Sequence, residues 1–481
     1  MFSAMNFIEA VDDGEADRVI LLEGSMRASI HRVLSAALLL LAACALSSRA
    51  EAAAKPVPAA APNLDAMHAA IDKAAAAIMP KVVAWRRDFH EHPELGNQEV
   101  RTAKLVAEEL SSLGFEVKTG VAKTGVVGLL RGGKPGPVVA LRSDMDGLPV
   151  KEDVDLPFKS TATGTWNGQP VSIMHACGHD NHLAILLGTA NVLAGMKAQL
   201  SGSVKFIFQP AEEGPPAGEE AGAVVMVKEG VLENPKVDAI FGLHVFPMET
   251  GTVAWRAKGT MAAGDSFELT VRGRQTHGAL PWAGIDPIVV SAQIILGFQT
   301  LVSRQIDLTT APAILTIGAI NGGNRHNIIP NEVKMLGTLR TYDNPMRDSL
   351  MERMRRTATM IAQSAGATAE LNFGQSLPLT YNDPDLTKKM DATLRRVGGA
   401  HAGPDTVPST TSEDFSFYQQ KVPGLFFFLG VTPKGTAPGD IYADHSPRFF
   451  ADEAALITGV RALSNLAVDY LAGATVPSAS K

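Results

Sequence analysis

Apolar residues recur every three to four positions from about residue 64 to 91, the spacing that lays one apolar stripe along a helix. A second stripe runs through Val100, Ala103, Val106, Ala107, Leu110 and Leu113, and Gly114 stands just past its end, where a left-handed backbone favours glycine. The pattern then changes. Short unbroken apolar runs at 138–141, 204–208 and 237–243 predict strands buried on both faces, with the helical spacing of Leu183, Leu186, Leu187, Ala190 and Leu193 between the first two. This alternation predicts an α/β fold on a mostly parallel, doubly covered sheet. Near residue 260 it changes again. A half-exposed strand at 266–272 is followed by a helix at 287–304, strands at 314–320 and 332–342, a charged helix at 345–365 and a strand at 368–373. That order, β-α-β-β-α-β, is the ferredoxin-like α+β unit. From 377 the first pattern returns, with a buried run at 425–429 and a last helix over 452–471. Residues 261–376 are therefore expected as an insertion between two parts of one larger domain, 64–260 and 377–472, with 473–481 as a tail.

Composition narrows the classes. Of the 481 residues 46% are hydrophobic and 19% charged, which excludes a disordered chain, and a net charge of −7 leaves no basic field to hold nucleic acid. Residues 1–63 read as an upstream extension, a signal segment and a Pro/Ala-rich linker. From Met26, the basic residues Arg27, His31 and Arg32 precede an apolar stretch at 33–46 that is short for a membrane span, and Ala50-Glu51-Ala52 fits a cleavage site. Leu41-Ala42-Ala43-Cys44 also fits a lipoprotein box, in which Cys44 would carry a lipid anchor. Either reading predicts an exported protein, periplasmic or secreted. Two cysteines, Cys44 and Cys177, exclude a disulfide scaffold.

Ligand-capable residues gather where the predicted strands end. The run at 138–141 leads into Arg142-Ser143-Asp144-Met145-Asp146, that at 204–208 into Gln209-Pro210-Ala211-Glu212-Glu213, and that at 237–243 into His244. Ligands bind beyond the carboxyl ends of strands in open α/β sheets, so the three clusters should converge. The densest cluster, Met174 to His182, places Cys177 and His179 around Gly178, a spacing suited to two ligands on a tight loop. Alone, a buried cysteine packs and a lone histidine hydrogen-bonds; together in a histidine-dense loop they point to a metal. Asp180 and Asn181 can cap the helix that follows, and His175 and His182 suit supporting or structural duty. Adjacent Glu212 and Glu213 can divide labour, one binding metal and the other holding a water as general base.

The segments WRRDFHEHPELG, LRSDMDGLP, MHACGHDNH, FIFQPAEEG, FGLHV, THGALP, NIIPNEV, TSEDFSFY and DHSPRF together resemble the N-acyl-amino-acid amidohydrolase family. This is the hippurate hydrolase and indole-acetyl-amino-acid hydrolase branch of the aminoacylase/carboxypeptidase-type metallopeptidases, and the resemblance covers about residues 65–470. It implies a catalytic domain holding two divalent metal ions per subunit and an inserted lid domain that pairs two subunits. Carried over, the metal ligands are Cys177, His179, Glu213, His244 and His445, and the general base is Glu212. Asp146 matches an acid that orients a ligand, Asp144 stands where sister branches have a ligand histidine, and Asp180 joins them in support. His277 resembles the lid histidine that donates to the oxyanion, and Asn327 and Arg340 are lid candidates for holding the substrate carboxylate. Glu413 and Asp414 are expected to support the loop near the site. The chain departs from family usage at Asn181, Leu183 and Gly278 and has a long loop over 214–223. The resemblance implies a metal-dependent hydrolase of N-acyl amino acids, with an exported dipeptidase or carboxypeptidase as the alternative and a catalytically inactive binding protein as a third. Thiolate, imidazole and carboxylate ligands suit zinc first, with manganese, cobalt or nickel tolerated.

Overall fold

The computed structural model describes residues 63–220 and 222–473. The expected signal segment, Cys44, the linker up to residue 62 and the tail from 474 lie outside the described residues.

Helix α1 (Leu64–Glu91) starts where the Asn63 side chain accepts the Ala66 N–H, and it buries Met67, Ile71, Ala75, Val82 and Phe89 on one side. Helix α2 (Val100–Ser112) follows and ends before Gly114 at φ +78°. The main sheet contains β1 (Glu116–Val121), β2 (Gly125–Arg131), β3 (Lys134–Asp144), β4 (Ser201–Gln209), β5 (Ala239–Glu249) and β6 (Val253–Trp255). Helix α3 (His179–Gly195) connects β3 to β4. The two faces of the sheet read directly from the strands. On β3, Val139 and Leu141 enter one core and Ala140 the other; on β4, Phe206 and Phe208 oppose Ile207.

A smaller sheet interrupts this one. Its strands β7 (Ala263–Arg272), β8 (Ala313–Gly322), β9 (Glu332–Thr341) and β10 (Thr368–Leu377) are all antiparallel and lie in the order β8-β9-β7-β10. Helices α4 (Pro287–Gln305) and α5 (Asn344–Ser364) begin at the side-chain caps Asp286 and Asp343 and bury Ile294, Phe298, Leu350 and Met354 against Phe267, Leu269 and Val271 of β7. The chain then returns to the large sheet with α6 (Pro384–Gly398), β11 (Ala402–Pro404), β12 (Gly424–Thr432) and α7 (Leu456–Leu471).

The large sheet has the order β1-β2-β4-β3-β5-β12-β6-β11 and is mixed, which corrects the expectation of a mostly parallel one. Strands β4, β3, β5 and β12 run parallel, but β1 and β2 form an antiparallel hairpin joined antiparallel to β4, and β6 opposes β12. The hairpin was hidden because its turn residues, Ala122 at φ +50° and Lys123 at φ +78°, are not the usual turn formers. Strand β5 also runs past its predicted end at 243, because residues 244–249 pair with β12, His244 lying opposite Phe428.

Candidate metal centre

The site forms where α3 begins beside the ends of β3 and β4. Gly178 caps α3 at φ +86°, and a Cβ there would overlap Val245 Cγ2. This turn sets Cys177 just before the helix and His179 at its first position. Cys177 Sγ lies 3.3 Å from His244 Nε2 and 3.3 Å from His445 Nε2. His445 Nε2 is 2.9 Å from Glu213 Oε1, and its backbone N–H donates to Ala176 O at 2.8 Å. The donor atoms of Cys177, His179 and His244 lie within 4.8 Å of one another, as do those of Cys177, Glu213 and His445, and those of His179, Glu212 and Glu213. Cys177, His179, Glu213, His244 and His445 thus meet in one cluster, with Glu212 beside them.

The histidine hydrogen bonds leave ring nitrogens for a cation. His179 donates Nδ1–H to Asp146 O at 2.8 Å, and among the described residues its buried Nε2 has no hydrogen-bond partner, so this is the nitrogen left to meet a metal in place of a proton. His244 donates Nδ1–H to Val245 O at 2.5 Å and directs Nε2 at Cys177. Thiolate, imidazole and carboxylate donors converging around an orphaned buried nitrogen are what a transition-metal site requires.

A buried frame holds these groups. Asp146 accepts the backbone N–H groups of Glu212 at 3.1 Å and Glu213 at 3.0 Å. Glu99 accepts the preceding N–H, that of Ala211, at 2.8 Å, and the Thr124 hydroxyl at 2.6 Å. Ala211 sits at φ +49°, which turns three successive N–H groups toward the two buried acids. Asp144 accepts His182 Nδ1–H at 2.6 Å and Arg142 Nη1–H at 2.8 Å, and its carboxylate lies 3.8 Å from His179 Nε2. It is therefore itself among the ligand-capable groups. The fully buried Arg142 also pairs with Glu413 at 3.0 Å and Asp414 at 2.8 Å, and its Nε–H reaches Gln209 Oε1 at 2.9 Å. Asp414 N–H approaches Glu212 Oε1 at 3.4 Å.

The two adjacent carboxylates titrate in opposite directions. Burial, with the charges of Glu413, Glu213 and Asp414, pushes Glu212 well above the usual carboxylate range. Burial also acts against ionised Glu213, but the bond from His445 and the charge of His179 win and hold it below that range. Burial opposes a charged His179, yet Asp144 and Asp146 raise it to about 10. Burial, then His182, drives His244 well down.

A cavity of about 470 Å³ opens over the cluster, lined among others by Phe246, Met261, Leu377 and, from β9, Arg340. His277 and Asn327 are not brought there. On the smaller subdomain His277 is exposed and Asn327 half-buried; His277 pairs with Ile328, and Gly278 N–H donates to Asn327 O at 2.8 Å. Asp180 is engaged away from the cluster, its carboxylate meeting Arg86 Nε at 3.0 Å and His90 Nδ1 at 2.9 Å. Sequence reasoning missed Glu99 and Asp444. Glu99 occupies the position before α2 and looks like a helix cap, but it makes no cap and turns inward, while Glu94 caps instead. Asp444 lines the cavity, and burial pushes its pKa up to about 7; its place beside His445 was the available signal.

The peptidase family M20/M25/M40 model matches residues 140–469. The chain belongs to this family. Thermostable carboxypeptidase 1 of Saccharolobus solfataricus is 42% identical over 394 residues, covering 81% of this chain and 95% of that protein. N-acetylcysteine deacetylase of Bacillus subtilis is 38% identical over 393 residues, covering 81% and 97%. The crystal structure of the Bacillus subtilis YXEP protein, a dinuclear metal binding peptidase from the M20 family, matches with a TM-score of 0.68 and 36% identity over 82% of this chain and 99% of that one. As an M20-family member with hydrolase relatives throughout, the chain is an enzyme of the metallopeptidase and amidohydrolase type.

Proposed function

We propose that this M20-family enzyme hydrolyses the amide bond of N-acyl amino acids, hippurate-like or other acyl conjugates, releasing a carboxylic acid and a free amino acid. The observation that carries this reading is Arg340. Among the described residues its guanidinium bonds a serine hydroxyl and makes no ion pair, and it lines the same cavity as the donor cluster, with Phe246, Met261 and Leu377 as apolar wall. A free α-carboxylate satisfies such a charge, and the apolar wall suits an acyl group. Kinship with a deacetylase of an N-acylated amino acid supports the same reading.

Cys177, His179, Glu213, His244 and His445 would hold two divalent cations, zinc first, with manganese, cobalt or nickel as alternatives. Bound metal supplies the Lewis acid that polarises the scissile carbonyl. Glu212, kept basic by burial and its acidic neighbours, takes a proton from the attacking water and delivers it to the leaving amine nitrogen. The oxyanion donor would be His277, supplied by closure or by a second copy, and Asn327 from the same subdomain would join Arg340 at the substrate carboxylate. Exposed Ile288, Val289 and Leu296 on α4 and Ile314 and Ile320 on the edge strand β8 support pairing of two copies through this subdomain, as a homodimer. The basic, apolar and small-residue order after Met26 supports export.

A carboxypeptidase or dipeptidase is the second reading, favoured by the 42% identity to a carboxypeptidase; Arg340 would then hold a peptide's C-terminal carboxylate. Metal-reconstituted protein assayed on N-acetyl and N-benzoyl amino acids and on matched dipeptides decides between them. The expected result is loss of all activity with a chelator, its return with divalent metal, and kcat/KM for acyl amino acids above that for dipeptides. Preference for dipeptides would move the assignment to the second reading, and full activity in metal-free protein would remove both.

A further inference from the structure

Arg340 is held from two sides. It lies on β9 directly opposite Gly264 of β7. Its Nη1–H donates in a short bond to Ser412 Oγ, a residue of the large domain. The segment bearing Ser412 is itself tied down: Tyr342, just past β9, donates its Oη–H to Ser409 O at 2.7 Å, Ser409 N–H donates to Thr260 O, shortly before β7, at 2.9 Å, and within the segment Ser409 and Thr411 share a hydroxyl bond at 2.6 Å. A Cβ on Gly264 would overlap both Arg340 Nη1 and Ser412 Oγ. Gly264 does not occupy the left-handed region, so its backbone does not demand glycine; the space does. Glycine inside a strand is otherwise disfavoured and marks a close approach.

The chemistry of the tether matters. A serine hydroxyl orients one nitrogen of the guanidinium without neutralising its charge, and leaves its remaining donors for a planar, two-toothed bond to a carboxylate. Glu413, the carboxylate next to Ser412 in sequence, is occupied by Arg142 at 3.0 Å. We propose that Ser412 and Gly264 are positioning residues that aim Arg340 into the cavity and thereby set the preference of the site for substrates ending in a free carboxylate. The proposal rests on the reading of Arg340 as the carboxylate anchor.

The test compares kcat and KM for an N-benzoyl amino acid and its α-carboxamide, together with inhibition by the free amino acid and by its amide. Ser412→Ala and Gly264→Ala should each raise KM for the acid about tenfold, the scale of a charge-assisted hydrogen bond, with kcat and all constants for the amide unchanged. Ser412→Asp should cancel the acid preference by pairing with Arg340 internally. Arg340→Ala should collapse the acid-to-amide ratio. If Arg340→Ala collapses it while Ser412→Ala leaves it at the wild-type value, the positioning role is overturned and the anchor stands. If Arg340→Ala leaves the ratio intact, the anchor itself falls. Thermal melts accompany each variant; should Gly264→Ala fail to fold, Ser412→Ala decides alone.

Discussion

At the scale of single residues, the site separates two neighbouring glutamates by what surrounds them. Glu213 faces His445 and His179, whose positive character favours its ionised form, whereas Glu212 faces Glu413 and Asp414, which disfavour it. One backbone frame, Glu99 and Asp146 gripping three successive N–H groups, keeps both side chains from exchanging places. Glu212→Gln should therefore reduce kcat by at least about a thousandfold while metal content stays near that of the parent, the scale of losing a general base. Glu213→Gln should lower metal occupancy first and activity as its consequence. Elemental analysis beside steady-state rates checks the pair, and the reverse pattern would exchange their roles.

At the scale of elements, three helices are fastened at one buried carboxylate. Asp469 of α7 accepts His68 Nε2 of α1 at 2.6 Å, and Thr393 Oγ1 at 2.7 Å and Arg396 Nη2 at 3.0 Å of α6. Burial alone would raise its pKa, but the bonds from His68 and Thr393, with the charge of Arg396, hold it below the ordinary aspartate range. A carboxyl whose folded pKa is depressed binds fewer protons folded than unfolded. Its stabilisation is therefore complete above the unfolded value of about 4 and fades as pH falls from there through the folded value. Asp469→Asn should cost about 1–2 kcal/mol at pH 7, in keeping with bonds to a charged acceptor. Urea unfolding at pH 7 and at successively lower pH should show the gap to the parent narrowing below about pH 4. A gap that is constant with pH would mean that packing, not charge, joins the helices.

At the scale of the whole molecule, the donor cluster and His277 stand on separate subdomains, and His277 does not line the cavity. If two copies pair through α4 and β8, the histidine of one can serve the cluster of the other. Mixing His277→Ala with Glu212→Gln subunits should then restore a measurable part of the activity, because one mixed site would hold both intact groups. Restoration absent from demonstrated heterodimers would place the donor in the same chain, and an unimpaired His277→Ala enzyme would remove it from the reaction.

How much of this was legible follows from the range of the forces involved. Helices α1, α2 and α3 and the buried runs of β3, β4 and β12 could be read because apolar periodicity records local burial, residue by residue. Clusters at strand ends announced Asp146, Glu212 and Glu213, and the tight Cys177-Gly178-His179 turn announced itself. Only the folded chain decided that β1 and β2 join the sheet antiparallel, because positive φ at Ala122 and Lys123 is imposed by pairing rather than by residue type. It alone decided that Glu99 abandons its own helix for Ala211, that Asp180 serves Arg86 and His90, and that Ser412 and Gly264 meet at Arg340. Each of those contacts joins segments far apart in sequence. Periodicity and spacing carry information over a few residues, whereas a buried charge takes whatever partner the packed fold brings within about 3 Å.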